Sequence, residues 1–206
     1  MLTLYHSPRS RSSRIIRLIA ELDIWTEIDI RIVNITHSDG TGEHDPNNPH
    51  PEGKVPLLVH DGVEIWESNA IILYLTDLFP KAGMGPVAGN SQRGRYLSWL
   101  AWYGNVVEPV LVIGAAELSH PIFDVTFRGI PEMTARLAGA LDNAPFLMGE
   151  QFTAADLLLV SPFTWFPDAA PDQPAIKAWI ERCEARPSAK KMAEFDAAHP
   201  ERVSAA

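Results

Sequence analysis

The sequence predicts an α/β half followed by an all-α half, and three observations predict it. A β-rich run, an amphipathic helical stretch and a strand of period two succeed one another within residues 2–35. Two further β-rich runs flank an Asp61-Gly62 turn, and a helix start follows them. Beyond a Pro- and Gly-rich stretch at residues 80–90, strand patterning gives way to helical patterning. The order strand, helix, strand, strand, strand, helix, then helices only, describes a mixed sheet covered by helices and joined to a helical domain.

Each element has its own warrant. Leu2 to His6 is a short β-rich run that Ser7-Pro8 breaks. From about Ser12, the spacing of Ile15, Ile16, Leu18, Ile19 and Leu22 fits one face of a helix that ends before Asp23. Over Trp25 to Ile35, apolar Ile28, Ile30 and Ile32 alternate with Glu27, Asp29 and Arg31, the signature of a half-exposed strand. Residues 36–53 carry almost no apolar side chains and hold His37, His44 and His50. Their long spacings, with no cysteine among them, read as a solvated loop and not a metal site; so long an irregular segment also suits a lid. Leu57 to Val59 and Val63 to Trp66 then form a hairpin, because Asp-Gly supplies the positive backbone angles of a two-residue turn. Ser68 is placed to cap a helix whose Ala70, Ile71, Leu73, Tyr74, Leu75 and Leu78 are apolar, and Pro80 closes it.

The second half reads as residues 91–206, after a linker at 81–90. Ser91 to Leu118 is expected as one long helix kinked at Pro109, where the ring removes a donor. Pro131 to Leu141 is a second helix, with proline in its first turn. In GEQFTAADLLLVSPF, Thr153 caps, Asp156 reaches back as the third helical residue, and Phe152 is set to pack on Leu157. Residues 173–195 supply at least one more helix, and the tail after His199 is expected to fray.

The 206 residues are enough to bury a core, and 46% hydrophobic with 21% charged is ordinary for a soluble globular protein. A net charge of -9 with no basic run argues against nucleic acid as a partner. No apolar run approaches the ~20 residues that span a bilayer, and no signal peptide is read at the start, so a cytoplasmic protein is expected. One cysteine, Cys183, makes no internal disulfide and reads as an ordinary helix residue.

The most informative stretch is 50–79, where HPEGKVPLL and ESNAIILYL stand at a fixed spacing. Together they resemble the glutathione-binding half of glutathione transferases, whose pattern is approximately N-P-x-G-K-V-P-x-L followed by E-S-x-A-I-x-x-Y-L. His50 departs from the common Asn. The capped helix around Thr153 and Asp156 is also similar to a buried helix in the C-terminal domain of that family, so the resemblance covers both halves. It implies a thioredoxin-like domain at 1–80 followed by the helical domain at 91–206, and a homodimer. It further implies a cis Val55-Pro56 bond, main-chain pairing of Val55 with glutathione, and Glu67 and Ser68 at the γ-glutamyl end.

Glutathione has two carboxylates, an ammonium and a thiol, so its site needs cations, backbone donors and a means of lowering the thiol pKa. A free cysteine thiol titrates near ~8.5, and each unit of depression is worth about 1.4 kcal/mol. A hydroxyl at the start of a helix supplies such a means. Ser7, Ser10, Ser12 and Ser13 surround one such start in LYHSPRSRSSRIIRL, and the residues alone do not choose among them. Similarity to the serine-type (theta- and zeta-like) transferases favours Ser10, which lies four residues before Arg14. Ser12 is the alternative, just beyond the place where beta-class enzymes carry a cysteine and this chain has Arg11. Tyr5, an early tyrosine like the donor of other classes, fits a strand interior better. Arg11 and Arg14 are candidates for electrostatic support of the thiolate or the glycyl carboxylate, Lys54 for the glycyl carboxylate, and Arg17 for a solvated helix face.

An apolar electrophile is expected to meet Trp102, Tyr103 and Val106, which recur at helical spacing with Trp99, and Trp165 near Phe163 and Phe166. The activity so implied is a glutathione transferase for detoxification, with glutathione as co-substrate and no metal. Alternatives are a glutathione-dependent isomerase or dehalogenase that regenerates glutathione, and a non-catalytic binding module on the same fold. A thiol-disulfide oxidoreductase is disfavoured because no cysteine lies near the first helix.

Overall fold

The structure is a computed structural model and describes residues 1–37 and 40–200. The described residues divide into two compact units, 1–82 with 187–200, and 83–186; the tail expected to fray, residues 201–206, lies outside the described residues. The first holds a four-stranded sheet of order β2-β1-β3-β4, from β1 (Leu2–His6), β2 (Ile28–Ile32), β3 (Leu57–His60) and β4 (Val63–Trp66). β1 runs parallel to β2, while β3 is antiparallel to both β1 and β4. A parallel pair needs a crossover, which α1 (Ser13–Leu22) provides. The tight turn of the β3–β4 pair puts Asp61 at φ 49° and Gly62 at φ 85°, both in the left-handed region that the Asp-Gly sequence favours. β2 is shorter than the alternation over residues 25–35 implied. Trp25–Glu27 turn ahead of it, and after the Val33 N–H bonds the His6 carbonyl at 2.9 Å its partner strand β1 has ended.

The polar stretch between β2 and β3 is organised by side-chain acceptors. Asp45 takes the backbone N–H groups of Asn34 (3.1 Å) and Asn47 (2.8 Å), and Asn48 Nδ2 donates to the Lys54 carbonyl at 3.1 Å. These bonds lead the chain into a cis Val55-Pro56 peptide, as the resemblance implied. After β4, Glu67 occupies the position before α2 (Ser68–Leu78) and makes no side-chain cap bond; Ser68, expected as the cap, is the first helical residue and is buried.

The last helix, α9 (Pro187–Ala198), packs on α1 within the first unit, whereas the sequence placed its residues with the helical half. That packing explains a second difference. Arg17, expected on a solvated face, is buried along with Arg14, because α1 is covered on the side that an isolated amphipathic helix would leave wet. Ile15, Ile16, Leu18 and Ile19 are completely buried, which places α1 at the centre of this unit's core.

The second unit is helical: α3 (Arg93–Trp102), α4 (Glu108–Ala115), α5 (Pro121–Thr126), α6 (Gly129–Leu141), α7 (Ala154–Trp165) and α8 (Pro174–Glu184). The long helix expected over 91–118 is interrupted one turn earlier than Pro109. Tyr103–Val107 form a π-helical turn, with the Glu108 N–H bonding the Tyr103 carbonyl. Pro109 has no N–H for the carbonyl four residues back, so the ladder widens ahead of it, and the proline starts α4. The short α5 carried no apolar period and was not foreseen.

Every residue of α7 from Ala154 to Phe163 is buried, as for a helix apolar all round. Its internal Pro162 deprives the Leu158 carbonyl of a partner, and the Ser161 hydroxyl donates to that carbonyl at 2.8 Å. The capping box forms as the sequence indicated: Asp156 Oδ2 accepts from the Thr153 N–H (2.9 Å) and hydroxyl (3.0 Å). Asp156 Oδ1 also accepts from the Leu147 N–H (2.8 Å) and from Trp179 Nε1 (3.0 Å), tying α7 to α8. Cys183 lies on α8 and is buried.

Candidate functional site

The segment between β1 and α1 is a closed network of hydroxyls. β1 alternates so that Leu2, Leu4 and His6 share its inner face, and the buried His6 ring there must find polar partners. Its Nδ1 lies 2.7 Å from Ser12 Oγ, and its Nε2 lies 3.1 Å from Asp196 Oδ1 on α9. Ser12 stands at the N-cap position of α1 yet its side chain caps nothing, because the hydroxyl faces back toward the strand. There it accepts from the Ser7 N–H at 3.1 Å and sits 3.0 Å from the Ser7 carbonyl. Ser10 Oγ is 2.7 Å from Ser12 Oγ and 2.6 Å from the Ser7 carbonyl, and it accepts the Ser12 N–H at 3.1 Å.

Of these two hydroxyls, Ser12 is completely buried and Ser10 is partly exposed. Ser10 therefore meets solvent at the end of a chain of four side chains, Ser10, Ser12, His6 and Asp196. Ser7 is buried, and Ser13 is engaged with Asp196 Oδ2 at 2.6 Å.

Asp196 holds this segment from the far end of the sequence. Besides His6 and Ser13 it accepts the Arg9 N–H at 2.8 Å, which anchors Arg9 in a left-handed conformation with φ 55°. Burial works against the charge on this carboxylate, but the donors from His6, Ser13 and Arg9 outweigh it and hold its pKa below the ordinary carboxylate value. Arg11 is exposed and Arg14 buried. Sequence reasoning missed both His6 and Asp196. A histidine on the core face of a strand was the available signal for the first; nothing local marks the second, 190 residues away.

The other expected ligand residues lie on β3, α2 and their approaches in the same unit. Val55 and Pro56 are buried before β3. Glu67 has an exposed side chain and a backbone at φ 71°, a conformation that costs a non-glycine residue of order 1 kcal/mol or more and recurs where backbone placement matters. Lys54 is exposed and pairs with Glu52. Tyr5 is half-buried on β1, 3.5 Å from Arg31 Nη1.

In the second unit the expected apolar residues separate. Tyr103 is completely buried, Trp102 and Val106 are half-buried, and Trp165 is half-buried at the end of α7 beside exposed Phe166. Trp102 lines a groove of about 220 Å³ with Arg95, Ser98, Trp99 and Arg136, where the Arg136 guanidinium lies 5.6 Å from the Trp102 ring. Tyr103, Val106 and Trp165 do not line it. A second groove, of about 170 Å³, runs between α4, α5 and α6 and is lined by residues including Ile113, Leu118, Phe123 and Phe127.

Comparison with known proteins gives a consistent answer. Residues 1–77 match the model of the glutathione S-transferase N-terminal domain, and residues 110–187 that of the glutathione S-transferase C-terminal domain. The disulfide-bond oxidoreductase YfcG of Escherichia coli is 28% identical, over 91% of this chain and 92% of that protein. Dichloromethane dehalogenase of Methylorubrum extorquens is 25% identical, over 93% of this chain and 74% of that protein. A sphingomonad glutathione S-transferase solved in complex with glutathione superposes with a TM-score of 0.76 at 24% identity, over 96% of this chain and all of that one, a likeness of fold. With a mixed four-stranded, thioredoxin-like sheet domain followed by a helical one, and both halves matched, the chain belongs to the glutathione S-transferase family.

Proposed function

We propose that this protein binds glutathione in its first unit and activates the thiol as a thiolate beside Ser10, for attack on an apolar electrophile. The observation that carries this reading is the hydroxyl cluster at the start of α1, of which Ser10 is the partly exposed member. Magnitudes favour the hydroxyl over the other candidates. A helix N-terminus contributes about 0.3–1 kcal/mol to a nearby anion, less than one pKa unit, whereas a hydrogen bond to a charged group contributes about 1.5–3 kcal/mol. Exposed Arg11 is screened by water and adds a minor attraction. Ser12 acts behind Ser10, since its buried hydroxyl is already engaged with His6 and Ser7.

Glutathione itself is supported as the ligand by the family match and by relatives solved with it bound. Val55 pairs with its backbone, with Pro56 fixing that segment. Glu67 and Ser68 hold the γ-glutamyl end, and Lys54 and Arg14 serve the glycyl end. Trp102, Tyr103, Val106 and Trp165 form the electrophile face, with Tyr103 acting from beneath because it is buried. The working molecule is a cytoplasmic homodimer serving detoxification, divided functionally at the 81–90 linker.

A second reading, in which glutathione is regenerated, is favoured by the likeness to a dehalogenase. In it glutathione supplies the thiol, since Cys183 is buried.

The test is a mass balance on glutathione during turnover of chlorinated and nitroaromatic electrophiles and of a small disulfide, in wild type and Ser10→Ala. Loss of glutathione equal to conjugate formed, reduced at least about tenfold in Ser10→Ala, is the expected result. Full recovery of free glutathione moves the chain to the second reading. Accumulation of oxidised glutathione during disulfide reduction assigns exchange chemistry. Binding without turnover of any of these leaves a binding module.

A further inference from the structure

Resting on the reading that Ser10 meets the glutathione thiol, we infer that His6 is the terminal acceptor of the thiol proton, which reaches it through the hydroxyls of Ser10 and Ser12. The links are all present. Ser10 Oγ to Ser12 Oγ is 2.7 Å, Ser12 Oγ to His6 Nδ1 is 2.7 Å, and His6 Nε2 to Asp196 Oδ1 is 3.1 Å. His6 and Ser12 are completely buried, so a proton on the imidazole is out of direct contact with water and is shared only with its two hydrogen-bonded neighbours, Ser12 and Asp196.

The proton count closes without any further reactant. Before the step, Asp196 accepts the His6 Nε2–H, leaving Nδ1 as a lone-pair acceptor of the Ser12 hydroxyl. Ser12 Oγ in turn accepts the Ser10 hydroxyl and the Ser7 N–H. In the step, the S–H bond of glutathione breaks and its proton bonds Ser10 Oγ. The proton of Ser10 passes to Ser12, and that of Ser12 to His6 Nδ1. One imidazolium and one thiolate result, and both serines stay neutral. The imidazolium is held by the Asp196 carboxylate, and Ser10 now points a hydroxyl proton at sulfur. The same shift that removes the proton therefore leaves the donor the thiolate requires.

The Ser7 carbonyl, 2.6 Å from Ser10 Oγ and 3.0 Å from Ser12 Oγ, offers each hydroxyl a resting partner between transfers. The groups facing His6 are Asp196 and Phe195 from α9 and Ser12 from the start of α1; Arg9 and Ser13 reach the same carboxylate. Asp196 touches neither sulfur nor Ser10 and is a positioning residue. It fixes the tautomer of His6 and balances the charge that His6 acquires.

The experiment combines two readouts on the full chain with reduced glutathione as the probe. The ultraviolet band of the thiolate counts thiolate formed on binding, and calorimetric titration in two buffers of different ionisation heat counts protons given to solvent. The expected result is thiolate without matching proton release. Nitrogen NMR of labelled His6 is expected to show Nδ1 passing from acceptor to protonated as glutathione is added. Asp196→Asn, which keeps the side-chain shape, is expected to lower the thiolate fraction about tenfold, one pKa unit, and to bring release toward one proton per thiolate. One proton released per thiolate in wild type, with an unchanged His6 Nδ1, overturns the relay while leaving thiolate formation at Ser10 intact. Glutathione bound with no thiolate band, or not bound, overturns the functional reading and the relay with it.

Discussion

Asp156 in the helical unit and Asp196 in the sheet unit are both withdrawn from water and both ringed by donors, yet burial prevails at the first and hydrogen bonding at the second. Asp156 is 0% exposed and accepts four bonds, from Leu147, twice from Thr153, and from Trp179. Desolvation still raises its pKa above the ordinary value. Asp196 is 8% exposed, and its donors include the His6 ring, which can carry a balancing charge; its pKa is lowered. Asp156 fastens backbone to backbone and one helix to another, work that needs no change of state. Asp196 faces a titratable ring linked to the molecular surface, where a change of state is useful. Similar carboxylates thus serve architecture in one unit and, in the relay proposed above, chemistry in the other.

The largest expected effect breaks the architectural side. Asp156→Ala leaves the Leu147, Thr153 and Trp179 donors buried without an acceptor. Denaturant unfolding is expected to show a loss of about 4 kcal/mol, or no folded protein, as for other broken buried networks. A loss below about 1 kcal/mol would mean that water replaces the carboxylate and that the comparison overstates its burial. Asp196→Asn comes next, with a stability loss of about 2 kcal/mol and a fall in kcat/KM with glutathione of about tenfold or more. An unchanged kcat/KM would make Asp196 architectural too.

The pH dependence separates the two with opposite signs. Asp196 has a folded pKa below its ordinary value near 3.8, so its contribution is full above that value and is lost as the pH falls through the lower folded one. Asp156 has a folded pKa above the same reference. The folded state then binds the extra proton, and stability declines as the pH rises from about 3.8 through the raised value. Unfolding free energies across this acidic range should lose their acid-side rise in Asp196→Asn and their decline in a folded Asp156→Asn. The same slope in both variants and wild type would remove the electrostatic half of the comparison.

The fold was largely legible because its signals are local. Alternating Ile28, Ile30 and Ile32, the Asp61-Gly62 turn and the Thr153–Asp156 box each report their own neighbourhood, and each formed. Pro109 was read as a kink within one long helix, but the widened turn falls before it at residues 103–107, where the weak helix formers Gly104 and Asn105 were a signal the sequence reading passed over. Arg17 was misplaced because helical periodicity cannot announce that a helix from the end of the chain will cover the polar side. The candidate site divides the same way. The serines stood out as a cluster, whereas the network that links them runs through His6 to Asp196, two residues 190 apart in the sequence.

The smallest expected effect concerns Lys54. Its pair with Glu52 is solvent-exposed on both sides and adds little to stability, so Lys54→Ala should leave the unfolding midpoint in place. If Lys54 holds the glycyl carboxylate, KM for glutathione rises about fivefold with kcat unchanged, the pattern of lost uniform binding. An unchanged KM would assign that end of the ligand elsewhere.

The most direct test of the account is the thiolate absorbance of bound glutathione against pH, at saturating protein, in wild type and in Ser10→Ala. The account predicts a midpoint at least about one unit below the ~8.5 of a free thiol in wild type, and a return toward that value in a Ser10→Ala protein that still binds. A midpoint equally low without the Ser10 hydroxyl, or never lowered in wild type, would contradict it.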